Sequence, residues 1–316
     1  MAKDDEGKSS SGKGLEDTGR RIEERLAEFI EPFRVKPDTT VSLEKDFDPG
    51  YKAHYLDKQE AQGLLQLEIQ MLGEYQTKLW AQGTDAVLLV LQARDAAGKD
   101  STIKHVMTGV NPQGVEVTGF RQPSAEELKH DFLWRHQVAL PERGRIGIFN
   151  RSHYEEVLVT RVHPEYLESA SLPPEARTGK VWKRRYRQIN EWERHLVENG
   201  IHVTKCFLNV SKDEQKKRFT ERLERPDKNW KFSSADLEAR ERWDEYTEAY
   251  EECFTRTSTP WAPWYVVPAD RKWFTRLAVA AIVVSEMIRL DPTFPSVDEE
   301  QLADLQKARE ILDAEG

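Results

Sequence analysis

The run Ala86–Leu91 (AVLLVL) narrows the possible folds more than any other feature. Six consecutive apolar residues leave no polar face for water, so a strand built from them is covered on both sides, as in a parallel sheet. It runs into Arg94–Asp95–Ala96–Ala97–Gly98–Lys99 and then into a helical stretch to Met107. The alternation continues. Val115–Phe120, Arg145–Phe149, His202–Leu208 and Trp264–Val267 read as further strands. Helices are expected over Ser124–Leu140, with Ser124 and Glu127 as a capping box, and around Tyr154–Arg161. Others are expected over Gly179–Glu198, after Ser211, and over Asp270–Leu290. Strands alternating with helices imply an α/β fold of three layers, α/β/α, with a parallel sheet. Ligands bind such sheets at the carboxyl ends of the strands, where each motif below begins.

Around this centre, residues 1–20 are polar and too poor in apolar groups to offset ordering entropy, and read as a disordered tail. Residues 21–47 read as an N-terminal helical extension, 48–292 as the catalytic unit and 293–316 as a helical tail. Lys58–Gln82 is a further helix, carrying Leu64, Leu65, Leu67, Ile69, Met71 and Leu72. The longest apolar stretch, Leu277–Val284, is far short of the ~20 residues that span a bilayer, and the first twenty residues lack a signal-peptide core. Two cysteines, Cys206 and Cys253, supply neither a disulfide framework nor metal-type spacing, so the expectation is a cytoplasmic protein without a membrane partner. With 56 acidic against 47 basic residues the formal charge is −9, which argues against general nucleic-acid binding but not against a local basic groove.

The segment Ala93–Ser101 (ARDAAGKDS) has the layout of a phosphate loop: buried strand, Gly-Lys turn, helix. Backbone N–H groups of Ala96, Ala97 and Gly98 and a helix N-terminus surround phosphate oxygens while Lys99 supplies a point charge. Two positions depart from G-x-x-x-x-G-K-[ST]: Ala93 replaces the first Gly, and Asp100 stands where the metal-holding hydroxyl belongs, with Ser101 next to it. Lys104, one turn on, adds a cation. Asp95 is the telling residue. A carboxylate in such a loop repels phosphate unless a cation intervenes, which points to Mg²⁺ (or Mn²⁺), or to a base at an acceptor phosphate.

The third strand ends in Asn150–Arg151, followed by His153, Glu155 and Glu156. Asn150 occupies the place where many P-loop enzymes carry a metal-supporting Asp. Arg151 suits a phosphate by its fork geometry. Glu155 and Glu156 fit metal or nucleotide contacts, or equally a solvated helical face; His153 fits a nucleotide site or a packing role. A second basic set, Arg222, Arg225, Lys228 and Lys231, straddles Pro226 in the helix–loop–helix layout of a lid over phosphates, around 211–256. Arg121 and Arg135 are further candidates, Arg135 also as a structural ion pair. A third basic run, Lys180–Arg187, is either a solvated face or part of a site for a large anion.

Taken together, RDAAGKDSTIKHVMTGVNPQG, PSAEELKHDFLWR, FNRSHYEEVLVTRVHP, ERLERPDKNWKFS and WYVVPADRKWFTR resemble the polyphosphate kinase 2 family from about Asp48 to Leu290. The resemblance implies a P-loop kinase fold similar to thymidylate kinase with a helical lid. It also implies Mg²⁺-dependent phosphoryl transfer between inorganic polyphosphate and AMP, ADP or ATP, with other purine nucleotides as further acceptors, and a homodimer or homotetramer. It places the family's loop carboxylate on Asp95, also a metal ligand with Glu155, and the loop lysine on Lys99. Catalytic roles fall on Asp95, Lys99, Asn150 and Arg151, and nucleotide contacts on Arg94, His153, Glu155 and Glu156. The family's second carboxylate falls on Asn150, a departure shared by the subgroup called class III, whose pattern NRSHYE resembles and whose members phosphorylate both mono- and diphosphates. Two other readings stand beside this one: an ATP-dependent nucleoside monophosphate kinase, and a non-catalytic nucleotide- or polyanion-binding protein.

Overall fold

The structure, a computed structural model, describes residues 21–54, 56–169, 172–177 and 179–315, without the side chains of residues 168, 169 and 231. The tail over 1–20 lies outside the described residues. Five strands form one parallel sheet: β1 (Ala86–Ala93), β2 (Val115–Gly119), β3 (Ile146–Asn150), β4 (Ile201–Asn209) and β5 (Trp264–Pro268), in the order β2-β3-β1-β4-β5. The central strand β1 is buried at all eight positions. Its side chains alternate between two cores, as a strand's period of two demands. Val87, Leu89 and Leu91 enter one, Leu88 and Val90 the other.

Helices cover both faces. On the first lie α1 (Lys58–Gln82), α2 (Lys99–Val106) and, from the end of the chain's core, the helix over Lys272–Leu290. On the second lie α3 (Glu155–Val162), α4 (Val181–Glu198) and a helix over Trp243–Thr257. Between them in sequence run α5 (Lys212–Glu224) and α6 (Ser234–Glu241), so Trp243–Thr257 is α7 and Lys272–Leu290 is α8; the exposed Glu299–Ala314 is α9. Three of these helices have well-defined ends. Ser211 accepts from Glu214 N at α5, Ser233 from Ala235 N at α6, and α4 stops just before Gly200, whose φ is +83°.

One expected helix is not formed. In place of Ser124–Leu140 there is a short turn, Glu127–Lys129, and a five-residue helix, Trp134–Val138. The Ser124–Glu127 capping box is present in both directions, at 2.6 and 3.2 Å. The chain becomes extended at His130, and Asp131 Oδ1 takes the Leu133 N–H at 2.9 Å, a local side-chain bond that competes with helix continuation.

The N-terminal extension wraps the edge of the sheet. After a helix over 21–30, Val35 N donates to Trp264 O at 2.8 Å and Arg34 bridges Tyr265, so β5 is not an open edge. Phe29, Phe33, Tyr51 and Phe274 pack edge-to-face at 5.8–5.9 Å between centroids, fixing this extension to α8. No helix among the described residues is long and apolar enough to cross a membrane.

Candidate active site

The register of β1 against β3 pairs Leu91 with Asn150, so the loops leaving both strands start side by side. From there they diverge. The loop after β1 leads to α2 on one face and that after β3 to α3 on the other. Such a divergence between neighbouring parallel strands opens a crevice at their carboxyl ends.

On one wall is the loop 94–99. Gly98, with φ +110°, caps α2, and Ala96 is also left-handed at φ +62°, an arrangement rare for a residue with a Cβ. The Lys99 ammonium donates to the Ala93 carbonyl at 3.2 Å, folding back over its own loop. Burial and the Arg151 guanidinium push its pKa below the ordinary lysine value, opposed by Asp95, Glu155 and Asp100. On the other wall, Arg151 projects from a left-handed turn (φ +64°) whose N–H is held by Leu91 O at 3.0 Å. Its guanidinium spans both walls: Nη2 lies 2.7 Å from Asp95 Oδ1, and Nη1 lies 3.4 Å from Glu155 Oε2. Glu155 first, then Asp95, raise the Arg151 pKa, so this cation is permanent. Asn150 Nδ2 donates to Asp100 Oδ1 at 2.8 Å, tying the end of β3 to the first turn of α2.

Arg94 lines the same crevice. Its guanidinium lies 4.1 Å from the Trp243 ring centroid, and Nη2 donates to Thr247 Oγ1 at 2.6 Å. Burial lowers its pKa to about 10. Together with Asp95, Arg151, Glu155 and Tyr246 it lines a cleft closed by Trp243 and Tyr250. Burial and the two carboxylates raise the Tyr246 phenol to about 12.

Other expected residues sit differently. His153 is fully buried and faces Glu193 at 3.2 Å rather than the cleft, and burial lowers its pKa, so it is a neutral packing group. Glu156 turns to a different side of α3, where Arg185 of α4 holds it at 2.9 Å. Ser101 accepts from Arg276 Nη2 at 2.9 Å. Lys104 and Arg121 are exposed, and the Arg121 carbonyl accepts from Arg135 at 2.8 Å. In the segment expected as a lid, Arg222 pairs with Asp236 at 3.6 Å, Arg225 pairs locally with Asp227 at 2.8 Å, and Lys228 is half-buried. The Lys231 side chain lies outside the described residues.

Several residues that hold the site were not anticipated. Asp236 of α6 has its pKa raised by burial and by Asp95, so a third carboxylate feels the loop. Gln215 and Arg218 of α5 bond the loop's carbonyls at 2.7–3.1 Å, and Arg218 reaches the Ala269 carbonyl at 2.6 Å as well. Beneath Arg151, Ser152 Oγ takes bonds from Gln92 Nε2 and Tyr154 N, and Tyr154 in turn joins a buried set made of Glu193 and Lys205. Lys205 had a sequence signal: a lysine inside the apolar strand His202–Leu208 needs a buried partner.

Among the described residues no three His, Cys, Asp or Glu side chains converge as a preformed metal cage. Mg²⁺ does not ask for one, since it is commonly held by one or two carboxylates together with substrate phosphates. Asp95 and Glu155, both hard oxygen donors on the cleft, fit that requirement.

A family model described as Polyphosphate kinase 2 (PPK2) matches residues 55–294. The chain is 48% identical over 286 residues to an ADP-polyphosphate phosphotransferase of Rhodopseudomonas palustris, covering 89% of this chain and 97% of that protein. It is 45% identical over 267 residues to an AMP/ADP-polyphosphate phosphotransferase of Meiothermus ruber, covering 84% and 96%. The crystal structure of polyphosphate kinase 2 from Arthrobacter aurescens superposes with a TM-score of 0.80 at 40% identity, covering 89% of this chain and 96% of that one. With its loop carboxylate, loop lysine and cleft arginine on the strand ends of a P-loop kinase-like fold, the chain belongs to the polyphosphate kinase 2 family.

Proposed function

We propose that this chain transfers the terminal phosphoryl group of inorganic polyphosphate to AMP and to ADP, as a Mg²⁺-dependent phosphotransferase of the class III type. The observation that carries the reading is the convergence of Asp95, Lys99 and Arg151 on one crevice, in a chain whose relatives bear the names AMP/ADP- and ADP-polyphosphate phosphotransferase. A phosphate oxygen of the nucleotide attacks the terminal phosphorus in line. The bond to the bridging oxygen breaks, and a polyphosphate one unit shorter leaves. That nucleophile is already an anion, so no strong general base is required, consistent with His153 buried away from the cleft.

Catalysis of this kind rests on positioning and charge stabilisation. Lys99 and the loop amides take up charge on the transferred group. Arg151, oriented by carboxylates on both sides, clamps phosphate oxygens, and Arg222, with Lys228 and Lys231, adds cations when the lid closes. Asp95 and Glu155 would hold Mg²⁺, which when bound neutralises phosphate oxygens. Of the two relatives, the Meiothermus ruber protein is named for AMP as well as ADP, and the Rhodopseudomonas palustris protein for ADP. A homodimer or homotetramer is the expected assembly, read by light scattering.

The experiment incubates the chain with long-chain polyphosphate and Mg²⁺, with AMP or ADP in separate reactions and no ATP, and follows products by phosphorus NMR. ADP and ATP from AMP, and ATP from ADP, are expected. ATP from ADP alone removes the dual range. No product from either, with ATP plus AMP giving ADP, returns the chain to an ordinary monophosphate kinase. Asp95→Asn is expected to lower turnover on the order of 100-fold; near-normal turnover at saturating Mg²⁺ would remove the metal role.

A further inference from the structure

Within the loop 94–99 the Ala97 N–H bonds the Arg94 carbonyl at 3.3 Å, and Lys99 bonds the Ala93 carbonyl at 3.2 Å. Ala96 is left-handed although it carries a Cβ, and such a residue persists only where its surroundings over-determine it. The bonds to the loop's next three carbonyls come from one helix, α5. Gln215 Nε2 donates to the Asp95 carbonyl at 2.9 Å. Arg218 Nη1 donates to the Ala96 carbonyl at 3.1 Å and to the Ala97 carbonyl at 2.7 Å. Three successive loop carbonyls therefore point at α5. The same guanidinium reaches across to the loop after β5, with Nη2 at 2.6 Å from Ala269 O and 3.2 Å from Asp270 O. Its Nε is neutralised by Glu214 at 2.8 Å, and the residue is only 4% exposed.

A trans peptide holds its N–H antiparallel to its C=O. Fixing the Asp95 and Ala97 carbonyls against α5 therefore turns the Ala96 and Gly98 N–H groups away from α5, to the opposite side of the loop. We infer that Arg218, with Gln215, is a positioning residue that aims the loop amides at phosphate, and that it touches no substrate itself. This deepens the reading of 94–99 as the phosphate cradle and rests on it. The geometry also links the clasp to the lid. Arg222 lies one turn beyond Arg218 on α5, and Arg240 of α6 donates to Gln215 Oε1 at 2.9 Å. The helix that carries Arg222 is thus the one that shapes the loop.

The test compares Arg218→Met, Arg218→Lys and Gln215→Met with a stability control, Ile282→Ala, a core truncation in α8. Thermal midpoints are measured alongside turnover and nucleotide KM, with long-chain polyphosphate as donor, and binding of inorganic tripolyphosphate is measured by calorimetry at a temperature where every variant is folded. If Arg218 aims the amides, Arg218→Met lowers turnover on the order of 100-fold, the scale of losing a preorganised donor. It also weakens tripolyphosphate binding at least tenfold, moves nucleotide KM less than threefold, and Arg218→Lys recovers part of the loss. Ile282→Ala, with a comparable midpoint loss, keeps turnover and tripolyphosphate binding within threefold. Arg218→Met at wild-type turnover, or activity that simply follows the midpoint across all variants, overturns the inference. Should Arg218→Met not fold, Gln215→Met, which removes only the Asp95 carbonyl bond and the Arg240 contact, decides alone: about a tenfold loss of turnover supports the clasp, and none overturns it. Wild-type protein with no polyphosphate activity would instead strike the cradle reading.

Discussion

Lys205→Met should reveal how much of the stability under Arg151 depends on one buried charge. The ammonium of Lys205 is fully buried on β4 and bonds Glu193 Oε2 at 2.6 Å, the Thr257 carbonyl at 2.7 Å and the Tyr154 hydroxyl at 2.9 Å. Methionine matches its length, so packing changes little. What remains is a carboxylate at 0% exposure that has lost its cation. Removing one partner of a buried pair costs about 3–5 kcal/mol, and at roughly 2 °C per kcal/mol in a chain of this size the midpoint falls by about 6–10 °C near pH 7.5. The deficit must also depend on pH. In the intact pair, burial pushes the Glu193 carboxyl up, but Lys205 and His153 outweigh it and hold the pKa below the ordinary value. A depressed carboxyl contributes stability above the unfolded value of about 4.3, and loses it as the pH falls through the folded value. Without the lysine, burial, the largest influence on Glu193, is opposed by His153 alone of the two, and the folded pKa is expected above the unfolded one. The sign reverses: the variant is least impaired near pH 5, and its deficit grows as the pH rises. Scanning calorimetry of both proteins from pH 5 to 8 reads this directly. A midpoint drop under 2 °C at pH 7.5, or a deficit that does not shrink towards pH 5, refutes the reasoning.

Other outcomes follow from single positions. Gly98→Ala meets no atom closer than Arg218 Nη1 at 3.9 Å, but its φ of +110° is unfavourable for a Cβ, so a loss of about 1–3 kcal/mol is expected in chemical denaturation. Removing residues 297–316 takes away α9, which is exposed along its length, and should move the thermal midpoint by less than about 2 °C while leaving polyphosphate-dependent turnover intact.

The sheet was legible because its central strands are apolar on both faces: Ala86–Leu91 has no polar residue to place elsewhere, and the strand found extends only to Ala93. The Gly98–Lys99 turn and the Asn150–Arg151 turn were equally visible, since both stand directly at strand ends. What escaped was whatever depends on a side chain's direction within a helix. Glu155 and Glu156 are neighbours in sequence, yet α3 sends one to the cleft and the other to Arg185, because adjacent helical residues diverge by about 100°. Arg218 looked like any member of a charged helix, Lys212–Glu224, and its carbonyl partners lie more than fifty residues away. The failed helix at Ser124–Leu140 shows the limit of a start signal: a capping box begins a turn, but only packing along the following residues sustains it.

The strap along β5 also sets an order of events for a newly made chain. Val35 meets Trp264, Val41 N bonds Thr255 Oγ1 at 3.0 Å, Leu43 N bonds Glu251 Oε1, and Ser258 Oγ bonds Val35 O. Every one of these partners lies more than 200 positions downstream. At about 5–20 residues per second, a ribosome needs roughly 10–50 s to deliver them, so the strap waits with Phe33 and Val35 uncovered while the rest of the sheet assembles. Closing so large a loop comes late and slowly. Until then β5 is either unmade or a bare edge, which makes that interval the time when the growing chain is most exposed to pairing with another copy of itself.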